Sequence, residues 1–276
     1  MPMNVSSLYP LMSSIVNHFS LDCRLRRVLR DFALATLVSR SCLLDDIAHA
    51  LTPCGEKDSQ YRRIQRFLAN PRVDVAQLQA EWTRFIIQMM NPTSLTLLVD
   101  ETALSDHLKI MVLGIWTPGG CVPIAWRSYR ESAYPDCGQV QVIANLLDRV
   151  RPALPFPCPI TLLADRGIGT SPDLIQQVEN RGMGVLFRVQ SSSRFRYPMA
   201  LHDLGIAGKA RSVAGDIFKK AGWLSLHATV AWDTSYDAPW CLVSSYPIEA
   251  TDYANRFDQE VSFRDLKSDG FQWHRS

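Results

Sequence analysis

The sequence predicts an α/β protein, with an all-helical region over 1–90 followed by a mixed sheet-and-helix region over 91–276. Three observations predict it. Apolar residues recur at helical spacing up to about residue 90. Compact apolar runs such as "SLTLLVD" and "PITLLAD" begin only after that point. From there on, such runs alternate with amphipathic segments, the pattern of strands and helices packed in layers.

The composition permits this. A chain of 276 residues, 47% hydrophobic and 20% charged, can bury a substantial core. No apolar run reaches the ~18 residues of a membrane span, and the first twenty residues lack the pattern of a secretory signal. Seven scattered cysteines without a CxxC pair argue against a disulfide framework or a zinc site and fit reduced thiols. The six histidines show no metal-ligand spacing.

In the helical region, "CRLRRVLRDFALATLVSRS" crowds Arg24, Arg26, Arg27 and Arg30 into its first turns, and "CLLDDIAHALTPCG" is stopped by Pro53 and Gly55. "SQYRRIQRFLANPRVD" has Ser59 as its expected cap, and Arg62, Arg63 and Arg66 share roughly one side of it. "VAQLQAEWTRFIIQMM" leads as a further helix to the break at Asn91-Pro92.

In the second region, "SLTLLVDETALS" is expected to be a buried strand ending in Asp100. A hairpin follows, with Pro118-Gly119-Gly120 at its turn. "QVQVIANLLDRVRPAL" reads as a helix, and "PITLLADRGIG" as a strand that ends in Asp165. "SPDLIQQVENRG" is a helix capped by Ser171 with Pro172 at its first position, and "MGVLFRVQ" is a strand. The order β–β–β–α–β–α–β is that of a ribonuclease-H-like domain. Residues 191–246 then read as a β-rich insertion before a last helix.

That last helix, "DYANRFDQEVSFRDLK", places Tyr253, Arg256, Glu260 and Lys267 at offsets of three, seven and fourteen. At roughly 100° per residue they fall within about 60° of one another, in one stripe along four turns, with Phe257 and Val261 at its margin. A solvated helix face more often alternates its charges. An Asp after a strand is more often a turn former or a helix cap, and an exposed helical Glu is usually just solvated. Three such acids brought together would instead hold divalent ions whose other ligands are phosphate oxygens and water.

Charge is also uneven. Residues 20–72 carry ten Lys/Arg against six Asp/Glu, residues 191–230 six against two, and the last forty-six four against eight. Two basic regions beside an acidic remainder suit a polyanion partner.

Tyr253-x2-Arg256-x3-Glu260-x6-Lys267 resembles the Y-x2-R-x3-E-x6-K signature of DDE transposases of the insertion-sequence-four family. "LLVDETALS" and "LLADRGIG" look like that family's two acidic motifs, and "YRRIQRFLANPRV" like the end of its DNA-end-binding helical domain. The resemblance runs from about residue 20 to the C-terminus. It implies a ribonuclease-H-like catalytic domain preceded by a helical DNA-binding domain. Asp100, Asp165 and Glu260 would be the catalytic, metal-binding triad for Mg2+, with Mn2+ able to substitute. Tyr253, Arg256 and Lys267 would contact phosphates of the transposon end, and Arg62, Arg63, Arg66, Arg166 and Arg188 would contact DNA. Trp240, with Trp232 second, would stack on a flipped base in relatives that cut through a hairpin.

The implied partners are double-stranded DNA, as terminal inverted repeats and target, and a second copy of the chain in a synaptic homodimer. The implied setting is the cytoplasm of a bacterium, at the nucleoid. Because the chain stops nine residues after Lys267, it is expected to lack helices that complete such a domain. Two other readings stand beside the transposase: another ribonuclease-H-like nuclease, and a non-catalytic DNA-binding remnant of a transposase.

Overall fold

Caps written into the sequence set where several helices begin and end. The computed structural model of the chain describes residues 5–51, 55–105, 107–194, 200–233, 237–265 and 271. Helix α1 (Val5–Asn17), not foreseen from the sequence, precedes α2 (Cys23–Ser39), whose first turn is capped by Asp22 accepting from the amides of Arg24 and Leu25. Then come α3 (Leu44–Ala50), α4 (Lys57–Leu68) and α5 (Val75–Met90). Helix α4 starts two residues before Ser59, with Glu56 rather than Ser59 in the cap position. Asn91 closes α5 in the left-handed conformation, and Pro92 cannot continue it.

Helices α2, α3 and α4 share a small apolar cluster around Ala35, Ile47 and Ile64. Helix α5, grouped with them in the sequence reading, packs instead on the sheet. Its Ile87 joins the main core, its Trp82 indole donates to the Pro123 carbonyl at 2.8 Å, and its Gln79 donates to that of Trp126 at 3.1 Å. The amphipathic pattern marks that a helix buries one face, without saying which partner buries it.

The sheet starts with β1 (Leu95–Ser105), β2 (Leu108–Thr117) and β3 (Gly120–Arg130). Helix α6 (Gly138–Val150), strand β4 (Ile160–Ala164), the one-turn helix α7 (Arg166–Gly169), helix α8 (Pro172–Glu179) and strand β5 (Gly184–Arg188) follow. The chain goes on to β6 (Ala210–Ile217), β7 (Leu224–Ala231) and β8 (Trp240–Ser244). A 3-10 segment, Ala250–Arg256, then runs into α9 (Phe257–Arg264). The eight strands lie in the order β3-β2-β1-β4-β5-β8-β7-β6. Strands β1, β4 and β5 are parallel, and the pairings on either side of them are antiparallel.

The segment over 191–246 is therefore not a separate β unit. Its strands continue the main sheet from β5 outward, and Ile217, Leu226 and Val243 belong to the main core. Alternation along the strands gives the sheet two apolar faces. One face, with Leu97, Val99, Leu162 and Phe187, packs on α6 and α8. The other carries Leu98, Leu163, Leu186 and Leu242 around Tyr253, with Ile110 and Val112 around Phe263 of α9. Each such side chain, fully buried, contributes about 1.5–3 kcal/mol.

The turn after β4 is spatially constrained. A Cβ on Gly169 would sit 2.7 Å from the Arg188 carbonyl oxygen and 2.7 Å from Phe187 Cβ, so β5 approaches this turn as closely as only glycine permits. Gly169→Ala is expected to cost about 1–3 kcal/mol in urea denaturation through overpacking against backbone. Gly119→Ala, where the nearest atom is Thr117 Oγ1 at 3.9 Å, should stay within about 0.5 kcal/mol.

Candidate functional site

Strand pairing positions the first two acids. β1 and β4 run parallel with Leu98 opposite Leu163 and Val99 opposite Ala164, so Asp100 and Asp165 are the next residues at the same level. Period-2 alternation puts Asp100 on the face of Leu98 and Asp165 on that of Leu163, the face that Tyr253 covers. Asp100 does not end its strand as expected, because β1 continues five residues further, paired with β2. Asp165 does follow the last residue of β4, and it caps α7 by accepting from the Ile168 amide at 3.0 Å. The ordinary role of an Asp after a strand is thus present, and it fixes the direction of this carboxylate.

The third acid arrives on α9. Three contacts from neighbouring residues seat this helix on the β2–β3 hairpin. The Trp116 indole donates to Asp258 at 2.6 Å, the Gln259 amide to the Val112 carbonyl at 3.2 Å, and the Cys121 backbone amide to the Ser262 hydroxyl at 3.1 Å. Glu260 points the other way, with its side chain 51% exposed. The stripe expected on a single helix is divided. Tyr253 and Arg256 sit in the 3-10 segment and Glu260 in α9. At three residues per turn, an offset of three still aligns Tyr253 with Arg256. Lys267 lies outside the described residues, as do the residues around it. Phe257 and Val261, expected at the margin of a buried face, are exposed.

Tyr253, expected at the DNA, is 1% exposed among leucines of β1, β4, β5 and β8. Its hydroxyl makes no hydrogen bond of full geometry, though the Arg256 side chain lies beside it and favours the phenolate. Burial pushes the phenol up to about 12, against the pull of the Arg256 and Arg188 charges. Arg256, 8% exposed, links two of the acids. One terminal nitrogen lies 3.4 Å from Asp100 Oδ2, and the other donates to Glu260. Its Nε is buried and makes no hydrogen bond of full geometry.

Arg256, Asp165, Arg166 and Arg188 line one cleft of about 460 Å³, together with Thr170 and Gln190. Arg166 and Arg188 form no salt bridge among the described residues. The cleft thus presents two uncommitted guanidinium groups beside a carboxylate, which suits an anion with several oxygens. A larger cleft of about 810 Å³ shares Thr170 and Gln190 with it and is lined by Arg194, Lys219, Lys220, Phe218 and Trp223. Reading the sequence for motifs missed these cations. The basic excess over 191–230 was their visible trace, and the fold shows what it borders.

The other expected DNA contacts are dispersed. On α4, Arg62 and Arg66 are exposed, whereas Arg63 turns inward to Asp31 at 2.8 Å, so the three do not share one side. Trp240 packs edge-on against Tyr253, ring centroids 5.6 Å apart, and against Phe257 at 5.7 Å. It borders a separate small cleft with Ala231, Ala250 and Ala254. Trp232 follows β7, its amide donating to the Lys209 carbonyl.

Electrostatics single out Asp100. Burial raises its carboxyl from the ordinary 3.8 to about 6. Arg256 opposes that shift, and the negative charges of Asp165 and Glu260 add to it. Carboxylates that repel one another through a desolvated site are the donor chemistry a hard divalent cation relieves. As they stand, with Arg256 between two of them, no three acid, histidine or cysteine groups among the described residues lie close enough to hold one.

No protein-family model matches the chain. No curated protein matches it either. Among solved structures, it is similar to a piggyBac transposase, determined by cryo-EM as a synaptic complex with hairpin DNA. The TM-score is 0.48 at 14% identity, over 98% of this chain and 60% of that one. This chain thus spans less than two thirds of that transposase's length. No helix among the described residues is long and apolar enough to cross a membrane.

The raised Asp100 carboxyl has a consequence for stability. The folded state holds its proton up to about pH 6, whereas the unfolded chain releases it near 3.8. Its stabilising contribution is therefore complete below 3.8 and is lost as pH rises through about 6. In chelator, wild type should gain about 1–3 kcal/mol relative to Asp100→Asn between pH 7 and pH 4, read by urea denaturation. A difference that does not change with pH would place the proton elsewhere.

Proposed function

We propose that the chain is a DNA transposase of the DDE type, resembling the insertion-sequence-four family, that cuts and joins DNA through Asp100, Asp165 and Glu260. The observation that carries this is the register of β1 and β4, which brings Asp100 and Asp165 level on one face of the sheet. Glu260 is tied to Asp100 through Arg256 on that same face. The strand order β3-β2-β1-β4-β5, with β2 antiparallel, is what a ribonuclease-H-like catalytic domain would have, and it supports the reading.

Asp100, Asp165 and Glu260 would hold Mg2+, or Mn2+ in its place. When bound, the metal would activate an attacking oxygen and stabilise a leaving one at a phosphodiester. The chain's own groups do the positioning. Arg166 and Arg188 bind backbone phosphates in the cleft, and the Arg194, Lys219 and Lys220 cations continue that path along the neighbouring cleft. Arg256 offers its planar fork to a phosphate beside the acids. The buried ring of Tyr253 supports this floor from below. The DNA would be a transposon end, recognised in part by the basic N-terminal helices. A paired assembly, a hairpin intermediate stacked on Trp240 and a contact from Lys267 belong to the same proposal.

One observation favours a second reading. With Arg256 neutralising Asp100 and Glu260, the cleft can bind DNA without cutting it, so a DNA-binding protein derived from a transposase would look the same.

Asp100→Asn, Asp165→Asn and Glu260→Gln are each expected to lower Mg2+-dependent cleavage of an end-sequence duplex at least about 10³-fold while leaving binding within a few-fold. Wild-type cleavage by Asp165→Asn would remove the catalytic assignment, and wild-type binding with no cleavage under any divalent ion would select the second reading. Arg166→Ala and Arg188→Ala should each reduce the salt slope of binding by about one. Slopes unchanged in both would place the DNA elsewhere.

A further inference from the structure

The hydroxyl oxygen of Ser13 is buried where α1 meets α2, and it has no hydrogen-bond partner among the described residues. A buried helical serine can return its hydroxyl to the carbonyl one turn back, as Ser262 does to Asp258. Ser13 does not, although leaving a buried hydroxyl unpaired is costly. It lines a cleft of about 200 Å³ together with Asn17, Arg26, Arg27 and Arg30.

The three cations of this cleft are not equivalent. Arg30 is committed: it pairs with Asp31 at 2.8 Å and lies 4.3 Å above the Tyr9 ring, which seats α1 on α2. Arg26 gives its Nε to the Leu21 carbonyl at 2.7 Å, a bond that fixes its guanidinium beside the cleft. Arg27 is exposed, and neither it nor Arg26 forms a salt bridge among the described residues. A buried hydroxyl without a partner and two guanidinium groups without a carboxylate suit an anion with several oxygens. The volume limits its size. Pockets for whole small molecules measure about 300–1,000 Å³, so this one admits a phosphate group rather than a nucleotide.

We propose that the α1–α2 cleft clamps one phosphate of a DNA backbone through Arg26, Arg27 and the Ser13 hydroxyl. A backbone phosphodiester and free inorganic phosphate share this chemistry, and the surroundings favour the backbone. Arg24 is exposed at the start of α2, and α2 shares an apolar cluster with α4, where Arg62 and Arg66 are exposed. Cations spread beyond one cleft serve a chain of phosphates, whereas a free ion needs only its own site. The clamp rests on the DNA-binding part of the proposed function and is independent of the three acids. It gives α1, which the sequence did not reveal, a part in holding DNA.

The test uses the full chain, with a DNA duplex and inorganic phosphate as separate probes. Duplex affinity is read by fluorescence anisotropy across a salt series. Arg27→Ala should weaken duplex binding about ten-fold and lower the salt slope by about one. Ser13→Ala should weaken it about three- to ten-fold at an unchanged slope, because a neutral donor displaces no counterion. Without DNA, the urea midpoint of Ser13→Ala should equal or exceed that of wild type, since the hydroxyl removed bonds nothing in the free protein. A lower midpoint would show that the hydroxyl has a structural partner, and would overturn its role in the clamp. Wild-type duplex affinity and slope in both variants would overturn the clamp while leaving DNA binding intact. Failure of wild type to bind the duplex at all would instead remove the DNA reading on which the clamp rests. Inorganic phosphate binding that Arg27→Ala abolishes, with duplex binding untouched, would make this a free-phosphate site and overturn the backbone assignment.

Discussion

The candidate site depends on one pairing, the parallel ladder between β1 and β4. Its register sets Val99 opposite Ala164, and the two residues that follow are acidic. A slip of one residue would send Asp100 and Leu98 to the face covered by α6 and α8, with every neighbour inverted. The leucines at 98 and 163 oppose such a slip, because they are fully buried on the Tyr253 side. The same apolar burial that stabilises the sheet therefore aligns its charges. Around that pair, α7 is closed by the Asp165 cap, and Gly169 lets β5 come near enough to bring Arg188 to the cleft.

The cleft holds opposite charges in close proximity without cancelling them completely. Asp100 carries the cost of burial and of two neighbouring carboxylates, and Arg256 offsets only part of it. Arg166 and Arg188 add positive charge that no acid among the described residues takes up in a salt bridge. A purely structural ion network closes on itself. This one leaves Arg166 and Arg188 lining a cleft, outside any salt bridge among the described residues.

Much of this was legible in residues. The β–β–β–α–β–α–β order follows from apolar runs of strand length, and the Ser171-Pro172 start of α8 from cap chemistry. What was not legible depended on tertiary partners. Periodicity treats 253–267 as one helix, but the first seven residues from Ala250 wind as 3-10 behind a reciprocal Glu249–Asp252 cap. Tyr253 could be counted in a polar stripe, yet only the sheet beneath it shows that its ring is buried. Arg62 and Arg63 are adjacent in the chain and separate in role, because Asp31 on another helix takes one of them. Nothing local in 191–246 distinguishes a free-standing insertion from strands that lengthen an existing sheet.

Glu260 is held by Arg256, but the helix that carries it is placed by its neighbours. Its position comes from Asp258, Gln259 and Ser262, which fasten α9 to Trp116, Val112 and Cys121 of the β2–β3 hairpin. The acid that completes the motif is thus aimed by residues that no motif contains. Presence of the signature and integrity of the site are separable properties. A related chain could keep every letter of the signature, lose the indole at the position of Trp116, and carry its glutamate to the wrong place. Conversely, changes at the hairpin edge would move Glu260 relative to Asp100 and Asp165 without altering any of the three.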